Sequence, residues 1–99
     1  MKDDQDYLNL LRQIKKKPEA SQRELADELG FSLGKLNYCL KALKDKGLVK
    51  IKNFEKNPKK INYLYILTPE GLSAKTKLTV NFMKRKMKEY DELKKEIEK

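Results

Sequence analysis

The sequence predicts a mainly helical fold with one small β-hairpin and a long C-terminal helix. Apolar residues recur at helical spacing in several stretches, and residues typical of helix ends border those stretches. Two further stretches, residues 48–54 and 61–67, alternate apolar and polar side chains as β-strands do. At 99 residues the chain has room for a single domain core.

The first helix is predicted over residues 4–17. Its apolar side chains are spaced as on one helical face, and they are Tyr7, Leu8, Leu11 and Ile14. Aspartates precede this face and three lysines follow it, which suits the dipole of a helix. Pro18 is expected to end the helix, because a proline restricts the backbone of the residue before it.

Two shorter helices follow, separated by a turn. Ser21 and Glu24 form a capping box that opens the first of them, and Gly30 is suited to closing it. Ser32 is placed to cap the next helix, and Gly47 to end it. The inner face of that second helix is predicted from Leu36, Cys39, Leu40 and Leu43. Two helices joined in this way form a helix-turn-helix motif, whose second helix is the recognition helix.

The two alternating stretches are predicted to form a hairpin, with residues 55–60 as its polar tip. Thr68, Pro69 and Glu70 then supply a cap, a first-turn proline and an early acid for a helix of about 28 residues. This order of elements is that of a winged helix-turn-helix with a C-terminal extension. The predicted boundaries are 1–71 for the winged domain and 72–99 for the amphipathic C-terminal helix.

The basic charge is concentrated on the recognition helix and the hairpin. The chain has 24 Lys and Arg against 15 Asp and Glu, a formal net charge of +9. Residues 32–62 contain nine lysines and only two acidic side chains. In a winged helix these two elements face the major groove and the neighbouring phosphates. The distribution therefore favours nucleic acid as the partner, ahead of a membrane surface.

Other classes of protein are poorly supported. No apolar run approaches the roughly 20 residues of a membrane-spanning helix, and the first residues show no signal peptide. A single cysteine fits a reducing cytoplasm, where we expect the protein to reside. There is no histidine, the usual base of nucleophilic sites and the commonest metal ligand. The four glycines form no phosphate-binding loop. We therefore expect no enzyme activity, cofactor or metal.

Base contacts are predicted on the outer face of the recognition helix. Asn37 can make two bonds to adenine, Lys35 can donate to guanine, and Leu33 can touch a thymine methyl group. Gly34 within a helix costs about 1 kcal/mol relative to alanine, and close approach of the backbone to DNA would explain it. The predicted contact residues are Ser32, Leu33, Gly34, Lys35, Asn37, Tyr38, Lys41 and Lys44. Two alternatives stay open: Asn37 as ordinary helix surface and Tyr38 as a packing residue.

Contacts to the DNA backbone are predicted around that helix. Lys41 and Lys44 are expected on phosphates, which position a protein without reading sequence. The hairpin tip is expected to touch phosphates or the minor groove through Lys56, Asn57, Lys59 and Lys60. Ser21 and Gln22, at the start of a helix, can offer backbone amides to a phosphate.

The last helix carries an apolar stripe spaced nearly as a heptad repeat. Its members are Val80, Met83, Met87, Tyr90 and Ile97, with Leu93 beside them and Lys94 at one position of the repeat. One helix cannot bury such a stripe alone. We expect a two-fold homodimer; the helix could instead fold back on the domain or receive a different protein.

Cys39 lies on the predicted inner face of the recognition helix. We expect it to fill core space. A redox sensor is the alternative, and that role needs a thiol accessible to alkylation in the folded protein.

Particular segments resemble a known family. Residues 22–32 resemble helix-turn-helix proteins, with Ala26 at the helix crossing and Gly30 in the tight turn. Residues 67–71, Leu-Thr-Pro-Glu-Gly, are similar to the strand-to-helix junction of MarR-type regulators. Residues 32–43 look like the MarR-type regulators associated with exopolysaccharide gene clusters, and the similarity spans roughly residues 20 to 98. The resemblance implies a winged-helix dimer that binds double-stranded DNA.

Two features depart from that family. Many MarR proteins resemble one another at an Asp-x-Arg in the wing, where this chain has Lys59, Lys60 and Ile61. Lys60 could take the groove-facing role, although lysine lacks the planar fork of arginine. The chain is also shorter than a typical MarR protein, so a small-molecule effector is not predicted and stays unknown.

The predicted function is regulation of transcription by sequence-specific binding of double-stranded DNA as a homodimer, with exopolysaccharide genes as an implied target. One alternative is a winged helix that binds protein, against which the basic recognition helix argues. Another is an RNA-binding protein, which would need Tyr63 and Tyr65 both to face outward.

Overall fold

The computed structural model describes residues 4–57 and 60–98, and the side chains of residues 4–53 and 63–98. Four helices and two strands follow one another along the chain, with no cis peptide bond among the described residues. They are α1 Asp4–Lys16, α2 Gln22–Leu29, α3 Leu33–Asp45, β1 Val49–Asn57, β2 Lys60–Leu67 and α4 Pro69–Glu98. This confirms the predicted class, a mainly helical winged helix-turn-helix with a long C-terminal helix.

The core lies where α1, α2 and α3 meet the hairpin. The predicted apolar faces of α1 and α3 are buried, as are Leu25 and Ala26 of α2. Leu10 is also fully buried, although it lies outside the stripe predicted for α1. It belongs to the same buried cluster as Leu11 and Leu36, so the buried face of α1 is wider than predicted. Each buried leucine of this kind contributes about 1.5–3 kcal/mol through loss of contact with water.

Side-chain caps and left-handed glycines set the ends of α2 and α3. The Ser21 hydroxyl accepts a hydrogen bond from the Glu24 amide at 3.1 Å, and the Ser32 hydroxyl accepts one from the Lys35 amide at the same distance. Gly30 follows α2 with a φ of 71° and thereby ends it. These ends agree with the prediction and fix the angle at which α3 leaves the turn.

The hairpin is longer than predicted. Residues 55–60 were expected to form its tip, but β1 continues to Asn57 and β2 begins at Lys60. The register runs from Val49 opposite Leu67 to Asn57 opposite Lys60, with an irregularity between Glu55 and Asn57. Antiparallel pairing uses backbone groups, so it continues beyond the residues that carry the alternating pattern.

The junction between the hairpin and α4 is tied to the end of α3. The Thr68 hydroxyl accepts a bond from the Gly71 amide at 3.0 Å and donates one to the Gly47 carbonyl at 2.6 Å. The Thr68 amide donates to the Leu48 carbonyl at 3.1 Å. Gly71 is buried against that same carbonyl, which a side chain at position 71 would overlap. The direction of α4 is therefore fixed relative to α3.

Helix α4 has 30 residues, slightly more than predicted, and is about 45 Å long. Its first turns pack against α1, where Leu78 meets the core. It runs unbroken through the predicted boundary at residue 72. The rest of the helix extends away from the domain, which gives the molecule its length of 66 Å against widths of 26 and 20 Å.

Candidate nucleic-acid interface

Helix α3 presents an exposed outer face. Its inner face is held by Leu36, Cys39, Leu40 and Leu43, all at most 3% exposed. The helix must therefore turn the opposite side to solvent. The side chains predicted as contact residues on α3 and its cap are all exposed there: Ser32, Leu33, Lys35, Asn37, Tyr38, Lys41 and Lys44.

Tyr38 is 68% exposed, so it is not a packing residue of this chain. An exposed tyrosine offers a flat apolar ring with a hydroxyl that can donate or accept a hydrogen bond. Asn37 lies beside it, also exposed. The structure leaves both side chains available to an external partner, as DNA contact requires.

Gly34 lies at the centre of this face. A Cβ atom built at this position meets nothing within 4 Å, and the backbone has no positive φ. Neither internal packing nor backbone conformation therefore explains a glycine here. Because glycine has no side chain, the helix surface is lower beside Asn37 and Tyr38, and an external backbone could approach it there.

Lys35 lies on the flank of α3 that faces α1. Its ammonium nitrogen is 2.9 Å from a carboxylate oxygen of Asp6 and 4.4 Å from the centre of the Phe31 ring. The ion pair is partly exposed, with 47% of the Lys35 side chain and 27% of the Asp6 side chain accessible. A contact from Lys35 to guanine therefore requires competition with Asp6.

The start of α2 lies beside the start of α3 and strand β2. Ser21 and Gln22, predicted to offer amides to a phosphate, line a cleft there with Arg23, Leu33 and Tyr63. Sequence reasoning missed Arg23 as a candidate and considered Tyr63 only for RNA binding. Tyr63 is 44% exposed, and its position in an alternating strand was the available signal. Glu19 and Glu24 also line the cleft, so its charge is mixed.

Most of the predicted wing contacts cannot be placed. Lys59 lies outside the described residues, and the side chains of Lys56, Asn57 and Lys60 lie outside the described side chains. Farther down the wing, Lys50 and Lys52 are exposed on β1. They add two positive charges to the hairpin close to α3.

Tyr65 anchors the wing to the domain and does not face a ligand. It is 1% exposed, and its amide donates to the Pro18 carbonyl at 3.1 Å. Its hydroxyl approaches the Gln22 side chain without forming a hydrogen bond of ordinary geometry. Burial raises the pKa of the Tyr65 hydroxyl; the nearby Gln22 side chain lowers it less, and Tyr63 adds a smaller increase. The outward pair of tyrosines that the RNA-binding alternative needs is therefore missing.

Cys39 is 3% exposed on the inner face of α3, in agreement with a packing role. Within the described part of the chain, no group of three or more Cys, Asp and Glu side chains is arranged to hold a metal ion. None of the helices among residues 4–57 and 60–98 is long and apolar enough to cross a membrane.

The distal half of α4 exposes the predicted apolar stripe. Tyr90 is 64% exposed and Ile97 is 83% exposed, whereas Leu78 on the neighbouring face is packed on the core. The whole set is exposed in the single chain: Val80, Met83, Met87, Tyr90, Leu93 and Ile97. Large apolar side chains aligned on one helix in this way are typical of interaction surfaces.

Comparison with known proteins agrees with this architecture. Residues 8–50 match the family model described as winged helix-turn-helix DNA-binding. No curated protein sequence matches the chain. Similar solved structures belong to MarR-family regulators, and the sequence identities of about one fifth establish likeness of fold.

Three of these structures illustrate the likeness. The PcaV transcriptional regulator from Streptomyces coelicolor, in complex with its natural ligand, has a TM-score of 0.70 and 20% identity over 80% of this chain and 55% of its own. Staphylococcus aureus MarR, with salicylate and kanamycin, has a TM-score of 0.66 and 18% identity over 88% and 57%. Streptococcus pneumoniae FabT, in complex with DNA, has a TM-score of 0.64 and 21% identity over 88% and 59%. The chain thus spans little more than half the length of these proteins.

Proposed function

We propose that this chain regulates transcription by binding a specific double-stranded DNA sequence as a homodimer. The observation that carries the proposal is the uncovered outer face of α3, where Gly34, Asn37, Tyr38 and Lys41 are exposed together. The inner face of the same helix is locked into the core, so α3 can enter a major groove without loss of packing.

The charge distribution supports the same partner. The nine lysines within residues 32–62 follow α3 and the wing, and Lys41, Lys44, Lys50 and Lys52 are exposed. Each lysine that neutralises a phosphate releases a counterion, so the affinity should fall steeply with salt. The FabT structure with DNA supports the assignment by analogy of fold.

Asn37 is proposed to read an adenine and Tyr38 to contact a base or sugar beside it. Lys41, Lys44, the amides near Ser21 and the wing lysines are proposed to hold phosphates. Residues 1–71 are proposed to bind DNA, and residues 72–99 are proposed to join the two copies. The resemblance of residues 32–43 supports exopolysaccharide genes as the targets.

The test begins by selecting bound duplexes from a random pool. Binding to the selected duplex, a scrambled duplex and an RNA of the same sequence is then measured over a range of salt concentrations. We expect the selected duplex to bind most tightly, with RNA no better than the scrambled duplex. Failure to enrich any duplex, or tighter binding to RNA, would overturn the proposal.

Two variants distinguish a residue that reads a base from one that only contacts phosphate. Asn37→Ala should cost about 1–3 kcal/mol on the selected duplex and almost nothing on the scrambled one. Lys41→Ala is the matched control, because loss of a phosphate contact should weaken both duplexes alike and flatten the dependence on salt. Equal weakening of both duplexes by Asn37→Ala would remove its role in base recognition.

A further inference from the structure

The spacing of the exposed stripe on α4 determines how two copies can pair. Val80, Met83, Met87, Tyr90 and Ile97 follow a heptad repeat in which Lys94 takes the remaining position. These six residues are called the α4 stripe below. All are exposed in the single chain, and beyond Phe82 the described part of α4 is exposed on every side.

A parallel pair of α4 helices is disfavoured by the α4 stripe itself. In parallel register each stripe residue faces its own copy, so Lys94 would meet Lys94 of the partner in the apolar seam. Two ammonium groups brought together away from water repel each other, and each also loses hydration. A lysine in the seam thus selects against that orientation.

An antiparallel pair places every stripe residue opposite a different one. The stripe is symmetric about the midpoint between Lys88 and Glu89, so Val80 lies opposite the partner's Ile97 and Met87 opposite the partner's Tyr90. Lys94 then lies opposite the partner's Met83, whose flexible thioether side chain can pack along the lysine stem. No two like charges meet in the seam.

The flanking charges agree with the same orientation. Residues 80–88 carry four basic side chains and no acidic one, whereas residues 89–98 carry five acidic and two basic side chains. Antiparallel pairing about the midpoint lays the basic half of each helix along the acidic half of the other. Parallel pairing would set like halves together, and like-charge juxtaposition opposes association.

One contact within the chain weakens an argument for the parallel pair. Lys86 could serve a parallel pair by reaching the partner's Asp91. Its ammonium nitrogen is instead 3.3 Å from a carboxylate oxygen of Glu89 in the same helix and 5.5 Å from the centre of the Phe82 ring. The side chain best placed to favour parallel pairing is thus engaged by its own helix.

We propose that α4 pairs antiparallel with α4 of a second copy, about the midpoint between Lys88 and Glu89. The inference rests on the homodimer of the proposed function and adds the orientation and register of its helices. A different protein on this face would not need the stripe to be symmetric or its two halves to be oppositely charged.

Cysteine cross-linking tests the orientation without DNA. Val80→Cys and Ile97→Cys variants, one of them enlarged by a tag, are oxidised separately and after mixing. In the antiparallel pair a residue at position 80 lies about 25 Å from its own copy along the helix, far beyond the roughly 7 Å that a disulfide spans between Cα atoms. We expect a cross-linked product of mixed size from the mixture and none from either variant alone.

The wild-type protein is the control, because its one cysteine is buried. Cross-linking of each variant with itself would show parallel pairing and overturn the proposal. Absence of cross-linking even in the mixture, or a monomer mass in sedimentation at micromolar concentration, would overturn it as well. Binding of the selected duplex by the same preparations is measured separately, so a failure of α4 pairing is distinguished from a failure of DNA binding.

Discussion

The ammonium nitrogen of Lys35 lies 2.9 Å from a carboxylate oxygen of Asp6, which joins the first turn of the recognition helix to α1. The two residues are far apart in sequence and lie on helices that share one core. The pair is partly exposed, so its contribution to stability is small, in the range of about 0–1 kcal/mol. The pair matters for DNA binding because the Lys35 ammonium group lies close to the proposed DNA surface, where the Asp6 carboxylate offsets its positive charge.

Asp6→Asn should therefore strengthen DNA binding. Removing the carboxylate removes a negative charge that offsets Lys35 and repels the phosphates, and an interaction of about 1 kcal/mol corresponds to roughly fivefold in Kd. Glu28→Gln, which removes the same charge from the exposed surface of α2, is the control and should have a smaller effect. Fluorescence anisotropy with a labelled duplex gives both values. Weaker binding by Asp6→Asn in a stably folded protein would show that the pair positions α3 for DNA and that Lys35 itself makes no contact.

Gly34→Ala should stabilise the protein and weaken its binding to DNA. Alanine is favoured over glycine in a helix by about 1 kcal/mol, and the added methyl group meets nothing in this chain. On DNA the same methyl group should collide with the approaching backbone, at a cost of about tenfold or more in Kd. Thermal unfolding and anisotropy measure the two effects. A more stable variant with unchanged affinity would place Gly34 away from the duplex.

Gly71→Ala should change stability in the opposite direction to Gly34→Ala. This glycine also lies in a helix, but a Cβ here would overlap the Leu48 carbonyl oxygen, which is itself bonded to the Thr68 amide. The carbonyl cannot move aside without breaking that bond, so the variant should lose about 2 kcal/mol of stability despite the helix preference of alanine. Chemical denaturation of the two glycine variants side by side should show shifts of opposite sign. A Gly71→Ala protein as stable as the wild type would mean that the junction is more adaptable than the structure indicates.

Tyr65→Phe should reduce the loss of folding stability that the wild-type protein shows at alkaline pH. Burial raises the pKa of Tyr65 above its ordinary value of 10.0, so the folded state holds this proton more tightly than the unfolded state does. The associated stability is fully present below about pH 10 and is lost as pH rises through the folded pKa. The variant removes that loss, together with a buried hydroxyl that lacks a hydrogen bond of ordinary geometry. Its free energy of unfolding at neutral pH should be at least that of the wild type.

Denaturation curves between pH 8 and about pH 11 provide the measurement. Tyr63→Phe is the control, because Tyr63 is exposed and its loss should leave the pH dependence in place. Identical alkaline destabilisation of wild type and Tyr65→Phe would mean that other groups, such as the many lysines, account for all of it.

The helix limits were predictable because they depend on local chemistry. Ser21, Ser32 and Gly30 act on amides and carbonyls within a few residues of themselves, so their positions in the sequence predict where α2 and α3 begin and end. The exposed face of α3 was predictable for a related reason, since Leu36, Cys39 and Leu43 leave only one side of the helix for solvent.

Features that depend on distant parts of the chain were not predictable. The partner of Lys35 is an aspartate of α1, and no local pattern connects the two residues. Gly71 could be recognised by its resemblance to a known junction, but its overlap with Leu48 follows only from the way α4 packs. The length of the hairpin also escaped prediction, because backbone pairing extends past the alternating side chains to Asn57.

The hydrogen bonds of Thr68 and the close packing at Gly71 fix the direction in which α4 leaves the hairpin. If two copies pair through α4 as proposed, the length of α4 sets the distance from each winged domain to the two-fold axis. From the midpoint between Lys88 and Glu89 back to Pro69 is about 29 Å, so an antiparallel pair sets the two domain attachments about 58 Å apart. DNA offers equivalent grooves only at intervals of about 34–36 Å. In such a dimer, the length of α4 would limit which spacings of half-sites on DNA the two winged domains can bind together.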